Sequence, residues 1–518
     1  MARVTASRHS AAHDEAGTRS VARGGIANLA GAAYSGLATF AITAIVTRIA
    51  QPADAGVYFS AISILLIAVA LVEVGVPVGY VYLLARYRST GRTALLRSVL
   101  TTGAVPVLGL GVLVVSLALI FREPLGAALI GADVEAHATI VAVLCCGLLA
   151  AIVADSLLGA TRGFGVMRPT VVADKFVNPT VQLTALLLLA LAGWTGGADL
   201  VWTRVVGFAA VVIVAAPWLS RLLRRHPSPE GAPARDRWMP RRETVGEFWR
   251  FSGPRAIGQF AQVGIQRVDI ILIALWVGPV EAAVYAAASR FLIFGQLAAN
   301  AIGTAVQPRF SALAARNEMG PLQHLYRTST AWVMFATWPL YLTFIVQAEW
   351  LMMVFGADYA RGAPVLQLLA AAMLVATACG AVDAVLLMAG RSTWTMINAW
   401  VALIVNVGLN VWLIPELGIL GATIAWIAAI LVNNLVPLVQ VRAGLGVHPL
   451  GRLTVLAAAI PLLLFGLAPW VVGLLGGGVI GATISFASGV ALYLPVLWRL
   501  RRELGIAGML RSRGGARS

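Results

Sequence analysis

The chain has 518 residues, of which 59% are hydrophobic and only 12% are charged. A mean hydropathy of +0.86 excludes a soluble domain of this length and indicates a polytopic helical membrane protein. The net charge of +16 invites a nucleic-acid interpretation. The basic residues, however, lie in short loops between apolar runs and form no basic globular module, so we expect no nucleic-acid partner.

Fourteen apolar segments are long enough to cross a hydrocarbon core of about 30 Å, which takes roughly 20 residues. In chain order, the predicted spans are 24–47, 56–84, 96–121, 137–160, 169–193, 200–223, 250–277, 281–308, 322–346, 363–389, 394–414, 418–441, 453–475 and 478–498. The polar N-terminus has no signal-peptide core, so we expect the first segment to remain as a membrane helix.

Arginines concentrate in alternate loops, whereas the loops on the other side carry mainly acidic residues. The basic side contains the N-terminal arm, the loop from Arg86 to Arg97, and the segment from Arg221 to Arg250. Because positive loops stay in the cytoplasm, both termini are predicted to be cytoplasmic, in agreement with the even number of spans. We expect a multi-pass protein of the inner (plasma) membrane.

A linker rich in proline and charge separates spans 6 and 7 and predicts a boundary between two halves. The predicted regions are a cytoplasmic arm (1–23), an N-lobe of spans 1–6 (24–223), a cytoplasmic linker (224–247), a C-lobe of spans 7–12 (248–443), spans 13 and 14 (444–500), and a basic cytoplasmic tail (501–518).

The two halves share short motifs at equivalent places. After span 1 and again after span 7, an acidic residue follows a proline by two positions, and Val-Tyr opens the next helix (Pro52 to Tyr58, and Pro279 to Tyr285). With six spans per copy, both copies insert in the same orientation. We therefore predict an all-α protein of two six-helix lobes, related by a pseudo-two-fold axis along the membrane normal, plus two C-terminal helices.

Spans 7 and 8 carry an unusual number of polar side chains. Those proposed to form a polar stripe or line a cavity are Gln259, Gln262, Gln266, Asp269 and Asn300. Helical spacing places most of the span 7 members on one face. An ionisable group at mid-membrane costs at least ~2.5 kcal/mol, so such groups usually face a bundle interior or a wet cavity.

Two arginines are the strongest candidates for a binding site. Arg267 lies about 11 residues before the Gly278-Pro279 turn and Arg290 about 11 residues after it, so the two side chains reach similar depth on antiparallel helices. With one carboxylate nearby, they predict a positively charged site for an anionic ligand. The alternative is a salt bridge from Arg267 to Asp269 that only fixes packing, although a two-residue separation makes it awkward within one helix.

Four further charged residues are candidates for gating or ion coupling. Arg48 lies at the outer end of span 1, where it either snorkels to the interface or closes an outer gate. Glu73, Asp155 and Asp383 lie towards the cytoplasmic ends of their spans. They either pair with nearby arginines (Arg86, Arg162 or Arg391) or serve as coupling carboxylates or an inner gate, and Glu73 is the first choice for proton or sodium coupling.

No side chains point to an enzyme. The histidines, cysteines and acidic residues show no metal-ligand spacing, and the chain has neither a P-loop nor a GxSxG motif. Cys145, Cys146 and Cys379 lie in apolar runs without CxxC spacing and are interpreted as small packing residues. We expect no metal, no cofactor and no catalytic activity.

Several motifs resemble those of the multidrug/oligosaccharidyl-lipid/polysaccharide (MOP) flippase superfamily, and most of all its polysaccharide-export (O-antigen flippase-like) branch. The motifs are Arg48…Pro52…Gly56-Val57-Tyr58, Gly278-Pro279…Val284-Tyr285-Ala286…Arg290, and Pro415-Glu416-Leu417-Gly418-Ile419-Leu420-Gly421-Ala422. Ala50-Gln51 departs from the Leu-Gly that is usual in the family, which bears on an external turn and not on the substrate.

The resemblance implies a V-shaped pair of six-helix bundles around a central cavity. It also implies alternating-access transfer of a polyprenyl-diphosphate-linked oligosaccharide to the outer leaflet, as in lipopolysaccharide and other cell-surface polysaccharide biosynthesis. Arg267 and Arg290 would then hold the diphosphate. The implied partners are the lipid-linked oligosaccharide, membrane lipids, and polysaccharide polymerase or export proteins.

Four other functions stay open at this point. A lipid II flippase has the same number of spans, and a cation-coupled multidrug exporter belongs to the same superfamily but prefers an acidic cavity. A membrane glycan polymerase or ligase generally carries catalytic residues in large external loops, and this chain has no such loop. A non-transporting scaffold is the remaining alternative, and mutation of Arg267 distinguishes it from a transporter.

Overall fold

The structure is a computed structural model that describes residues 28–131, 136–226, 238–476, 478–501 and 503–504. Within these ranges the chain is helical and contains no strand. The predicted cytoplasmic arm (1–23), positions 227–237 of the linker and positions 505–518 of the tail lie outside the described residues.

Fourteen helices in the described part of the chain are long and apolar enough to cross a membrane, which confirms the predicted number. They are α1 (Asn28–Ile49), α2 (Pro52–Glu73), α3 (Thr93–Ile120), α4 (His137–Gly163), α5 (Thr170–Ala192), α6 (Gly197–Arg225), α7 (Arg242–Trp276), α8 (Pro279–Ala315), α9 (Met319–Val346), α10 (Ala357–Met388), α11 (Ser392–Leu417), α12 (Ile419–Leu445), α13 (Arg452–Leu474) and α14 (Gly478–Leu500). Shorter helices cover Val76–Ser89, Arg122–Gly126 and Ala348–Met352.

The second predicted span is not one continuous helix. Helix α2 ends at Glu73, the next two residues have positive φ angles (Val74, 44°; Gly75, 72°), and a new helix starts at Val76. A β-carbon on Gly75 would lie only 2.8 Å from the carbonyl oxygen of Ser252, so glycine is required both by its φ angle and by the close approach of α7.

Helices α7 and α8 both extend beyond their predicted spans at the ends away from their shared turn. Helix α7 begins at Arg242, eight residues before its predicted start at 250, and α8 continues to Ala315, seven residues beyond its predicted end at 308. Hydrophobicity identifies only the part of a helix that lies in the hydrocarbon core, so a prediction of spans does not include the more polar ends of a longer helix.

The chain divides into two compact units. Among the described residues, the first unit comprises 28–42, 65–128, 136–226 and 238–257, with α4 packed between α3, α6 and Val76–Ser89. The second comprises 43–64, 129–131 and the residues from 258 onward. The predicted domain boundaries stay predictions.

Within the second unit, α13 and α14 pack against α9. Met334 and Phe335 of α9 share an apolar cluster with Phe465 and Tyr493, and the Tyr493 hydroxyl donates a hydrogen bond of 2.6 Å to the carbonyl oxygen of Phe335. Burial of these large side chains away from lipid fixes the two C-terminal helices to the bundle by packing and by one interhelical hydrogen bond.

The two repeated turn motifs meet in the second unit. A β-carbon on Gly56 would overlap the backbone of Pro279, so the start of α2 touches the start of α8 with no space for a side chain. Gly278 precedes this contact with a φ angle of 122°, and Pro279 occupies the first turn of α8, where its missing N–H costs nothing. This contact holds the start of α2 directly against the start of α8.

Candidate functional site

A cavity of about 120 Å³ lies between α7, α8, α10 and α12. Most of its polar lining comes from the hairpin of α7 and α8, and Leu369 and Trp426 contribute from the other two helices. The polar lining residues are Gln266, Arg267, Asp269, Tyr285, Ser289, Arg290 and Gln296.

Arg267 and Arg290 are brought together in this cavity, as their equal distance from the turn suggests. Both side chains are half-buried. The first straight segment of α8 ends at Arg290, and a new segment begins at Leu292. The Arg290 guanidinium lies over the ring of Phe59, 5.8 Å from its centroid, which is a favourable cation–π contact and holds one face of the group against an apolar wall.

Asp269 does not behave as a member of an exposed polar stripe. It is 2% exposed, and it accepts hydrogen bonds from the Tyr285 hydroxyl (2.9 Å) and the Asn410 side-chain amide (2.6 Å). These neutral donors stabilise the carboxylate and tie α7 to α8 and α11. With two guanidiniums and one carboxylate, the lining keeps an excess of positive charge.

Not all of the other predicted polar residues line the cavity. Gln266 lines it, whereas Gln262, one turn earlier on α7, and Gln259, two turns earlier, do not. Asn300 is exposed on α8, one turn beyond Gln296, and does not line the cavity. The predicted stripe on α7 therefore reaches the cavity only at its end nearer the Gly278-Pro279 turn.

Arg48 contacts backbone and not a carboxylate among the described residues. Its Nε donates to the carbonyl oxygen of Val354 (2.8 Å) and an Nη donates to that of Met353 (3.3 Å). These carbonyls belong to the single turn that follows Ala348–Met352. A few residues after this turn, Arg361 forms an ion pair of 2.7 Å with Glu281, which links the start of α10 to the first turn of α8.

Glu73 and Asp155 lie near each other inside the first unit, with Arg162 close by. Glu73 is only 7% exposed. The sequence allowed Arg86 as its partner, but Arg86 lies 3.7 Å from Glu247 instead.

Asp383 lies in the second unit and does not join either group. It occupies the first turn of the helical segment Val382–Met388, which follows a break in α10 at Gly380. Arg391, its predicted neighbour, donates instead to the carbonyl oxygen of Gly444 at 3.4 Å.

Sequence reasoning missed Tyr285 and Asn410 as the partners of Asp269. Tyr285 is conspicuous in the sequence only as part of the repeated Val-Tyr motif, and Asn410 only as one of two asparagines four residues apart on α11. A buried asparagine on a membrane helix implies an interhelical partner, but the identity of that partner needs the fold.

A family model described as "Polysaccharide biosynthesis protein" matches residues 21–314, and a second model, MatE, matches residues 254–412. No curated protein matches the chain.

Solved structures of transporters share the fold at low sequence identity. An inward-facing multidrug resistance MATE family transporter of the MOP superfamily superposes with a TM-score of 0.66 at 17% identity, covering 80% of this chain and 94% of that chain. The lipid II flippase MurJ in an inward closed conformation gives a TM-score of 0.66 at 14% identity, covering 91% and 99%. A MOP superfamily transporter from Pyrococcus furiosus gives 0.58 at 17% identity, covering 82% and 95%. The two-lobed fold predicted from the sequence is thereby confirmed.

Proposed function

Because the chain belongs to the family of polysaccharide biosynthesis proteins and has the two-lobed transporter fold, we propose that it is a flippase for a polyprenyl-diphosphate-linked oligosaccharide. It carries this lipid from the cytoplasmic to the outer leaflet by alternating access. The observation that carries the proposal is the placement of Arg267 and Arg290 in one cavity whose lining keeps a positive excess.

The chemistry of the two arginines suits a diphosphate. A guanidinium stays charged when half-buried, and its planar fork binds two oxygens of a phosphate at once. Two such groups on adjacent helices match the two phosphates that join the polyprenol to the sugar. The glutamines that line the same cavity, Gln266 and Gln296, offer amide donors and acceptors for the sugar hydroxyl groups.

A cationic drug fits this cavity poorly. The same two guanidiniums repel a cation in a medium of low dielectric, whereas the one carboxylate is already engaged by Tyr285 and Asn410. The multidrug exporters of the superfamily share the fold of this chain, but the charge of the cavity does not suit their type of substrate, so we do not propose a cationic drug as the cargo.

A lipid II flippase is the second candidate, because the fold likeness to one covers 91% of this chain. Its substrate also has a polyprenyl diphosphate, so the arginine cavity serves either cargo. The two functions differ in the sugar, and therefore in which lipid accumulates when the protein is lost.

Arg48 is proposed as a latch of the outer gate. It joins the end of α1 to the turn after Ala348–Met352 by hydrogen bonds to two carbonyl groups, which can be made and broken without leaving a buried charge. The Glu73–Asp155 pair is proposed as the coupling site, since the two carboxyl groups can together take up or release one proton within the membrane.

No nucleotide site is needed to power outward movement of a diphosphate. Moving one charge across 100 mV is worth ~2.3 kcal/mol, and a negative interior drives anions outward. About two phosphate charges then gain several kcal/mol per transfer.

The test is deletion of the gene followed by complementation. Deletion should leave a lipid-linked oligosaccharide on the cytoplasmic leaflet; Arg267→Ala should fail to restore export, and Arg267→Lys should restore it in part. Arg316→Ala, at an exposed arginine between α8 and α9, is the matched control and should restore export fully. Normal export by Arg267→Ala would contradict the proposal, and accumulation of lipid II would favour the second candidate.

A further inference from the structure

The first unit contains a second cavity, of about 230 Å³, that no part of the proposed transport uses. Its walls come from one face of each of three membrane helices. Helix α3 contributes Leu100, Ala104 and Leu108 at intervals of four residues. Helices α4 and α6 contribute Leu157 and Leu223 among others, and Trp238 closes one end.

The cavity is almost entirely apolar. The Tyr80 hydroxyl, one of its few polar groups, already donates a hydrogen bond of 2.7 Å to the carbonyl oxygen of Leu100. Leu108, at the far end, is 40% exposed, so the cavity opens along the surface that faces lipid. An apolar slot of this kind suits a hydrocarbon chain and offers nothing to bind a sugar or an ion.

The slot lies within one leaflet. Its wall on α3 runs from Leu100 to Leu108, which is about 12 Å along a helix. A hydrocarbon core is about 30 Å thick, so the slot covers most of the half that adjoins the basic loops. That half is the cytoplasmic leaflet in the predicted orientation.

The rim of the slot is basic. Arg97 lies over the ring of Trp238, 5.6 Å from its centroid, and the segment after Trp238 is fixed to α3 because Thr101 donates to the Trp238 carbonyl oxygen (2.6 Å). Exposed arginines follow at the end of α6 and the start of α7: Arg221, Arg224, Arg225, Arg241 and Arg242.

The acidic residues beside this rim that the structure describes are engaged by arginines. Glu243 pairs with Arg92 at 2.9 Å, and Glu247 lies 3.7 Å from Arg86. Among the described residues, the rim therefore has more arginines than carboxylates, and an anionic headgroup would complement it. Basic pockets between membrane helices on the cytoplasmic side are sites for anionic lipid headgroups.

We propose that this slot binds an anionic glycerophospholipid of the cytoplasmic leaflet. One acyl chain lies between α3, α4 and α6, and the phosphate contacts Arg97 at the rim. The chain's own linker does not suit the slot, since residues 227–237 contain no leucine, isoleucine, valine, methionine or aromatic residue. The site is distinct from the arginine cavity of the second unit, so the proposal does not depend on the identity of the transported lipid.

The experiment is photo-crosslinking of the purified full-length protein in vesicles with phosphatidylglycerol or phosphatidylcholine carrying a diazirine on one acyl chain. Phosphatidylglycerol should label peptides from α3, α4 and α6 around the slot, and unlabelled phosphatidylglycerol should compete for the site while unlabelled phosphatidylcholine does not. Equal labelling of these peptides by the two lipids would overturn the proposal.

Two pairs of variants locate the site. Ala104→Phe fills the slot and should abolish the selective labelling, whereas Val105→Phe, at the neighbouring exposed position, should leave it intact. Arg97→Gln should lower labelling by phosphatidylglycerol about fivefold without changing that by phosphatidylcholine, the size of effect of one basic residue at a membrane surface. Arg316→Gln is its control.

If phosphatidylglycerol labelled the Ala104→Phe protein as strongly as the Val105→Phe protein, the proposed position of the acyl chain would be wrong. If the Ala104→Phe protein does not fold, Arg97→Gln still tests the proposal. If the rim does not bind the headgroup, labelling by phosphatidylglycerol should be the same in Arg97→Gln and in the wild-type protein. Stronger competition by a polyprenyl phosphate than by phosphatidylglycerol would overturn the assignment to a phospholipid.

Discussion

At the scale of single residues, the proposed binding of a diphosphate depends on arginine and not simply on positive charge. The guanidiniums of Arg267 and Arg290 are less strongly hydrated than an ammonium group and so lose less on entering a membrane protein. Asp269, the one acidic side chain in the lining, is stabilised by the neutral donors Tyr285 and Asn410. The carboxylate is thereby held in place by partners from two other helices.

The hydrogen bond from Tyr285 to Asp269 should contribute measurably to stability. Tyr285→Phe removes a donor to a buried carboxylate, and we expect the free energy of unfolding in detergent to fall by about 1–2 kcal/mol. Tyr34→Phe removes a hydrogen bond to Thr180 at an exposed site and should cost about 0.5 kcal/mol or less. Equal losses for the two variants would show that Asp269 does not need its donor.

Part of this site could be predicted from the sequence. Equal spacing from the Gly278-Pro279 turn placed Arg267 and Arg290 at similar depth, because that inference needs only the rise of a helix. The position of Asp269 could not be predicted in the same way. Its partner Asn410 is 141 residues away and meets it only through the packing of α7 against α11.

At the scale of helices, hydrophobicity predicts the number of membrane spans, whereas it does not predict breaks within a span that lie at contacts between residues distant in the sequence. The number of spans follows from apolar length, but the break at Val74 and Gly75 lies where Ser252 of α7 comes close to the chain, a contact that hydrophobicity does not indicate. No local signal in an apolar run marks such a break, apart from the glycine and the nearby Pro77.

The contact between the two repeated turns should tolerate no added methyl group. Gly56→Ala forces a β-carbon into the backbone of Pro279, and we expect it to lower the free energy of unfolding by about 1–3 kcal/mol, the usual cost of overpacking. Gly109→Ala, on α3, has nothing within 4 Å and should be neutral or stabilising. Thermal unfolding in detergent compares the pair, and similar midpoints would mean that the turns do not pack as closely as described.

The proposed latch at Arg48 should control access from outside. Arg48→Gln removes the charged donor to Val354 and Met353, and we expect a cysteine introduced at Ser289 in the cavity to react faster with an external maleimide. The assay requires replacement of the three native cysteines. Arg122→Gln, an exposed arginine that follows α3, is the control, and equal rates for the two variants would exclude a latch.

At the scale of the whole molecule, transport of a diphosphate should respond to the membrane potential. We expect export from vesicles with a negative interior to slow when the potential is collapsed, since each charge gains ~2.3 kcal/mol per 100 mV. Glu73→Gln should keep this response but lose any response to a pH gradient. Rates unchanged after collapse of both potential and ion gradients would contradict this source of energy.

The central claim is that the cavity of α7 and α8 binds a lipid diphosphate through Arg267 and Arg290, and equilibrium binding tests it most directly. Purified protein should bind a short-chain polyprenyl diphosphate more tightly than the matching polyprenol. Arg267→Ala should weaken binding of the diphosphate about tenfold or more, and Arg267→Lys should weaken it less. Equal affinity of the wild-type protein and Arg267→Ala for the diphosphate would contradict the account.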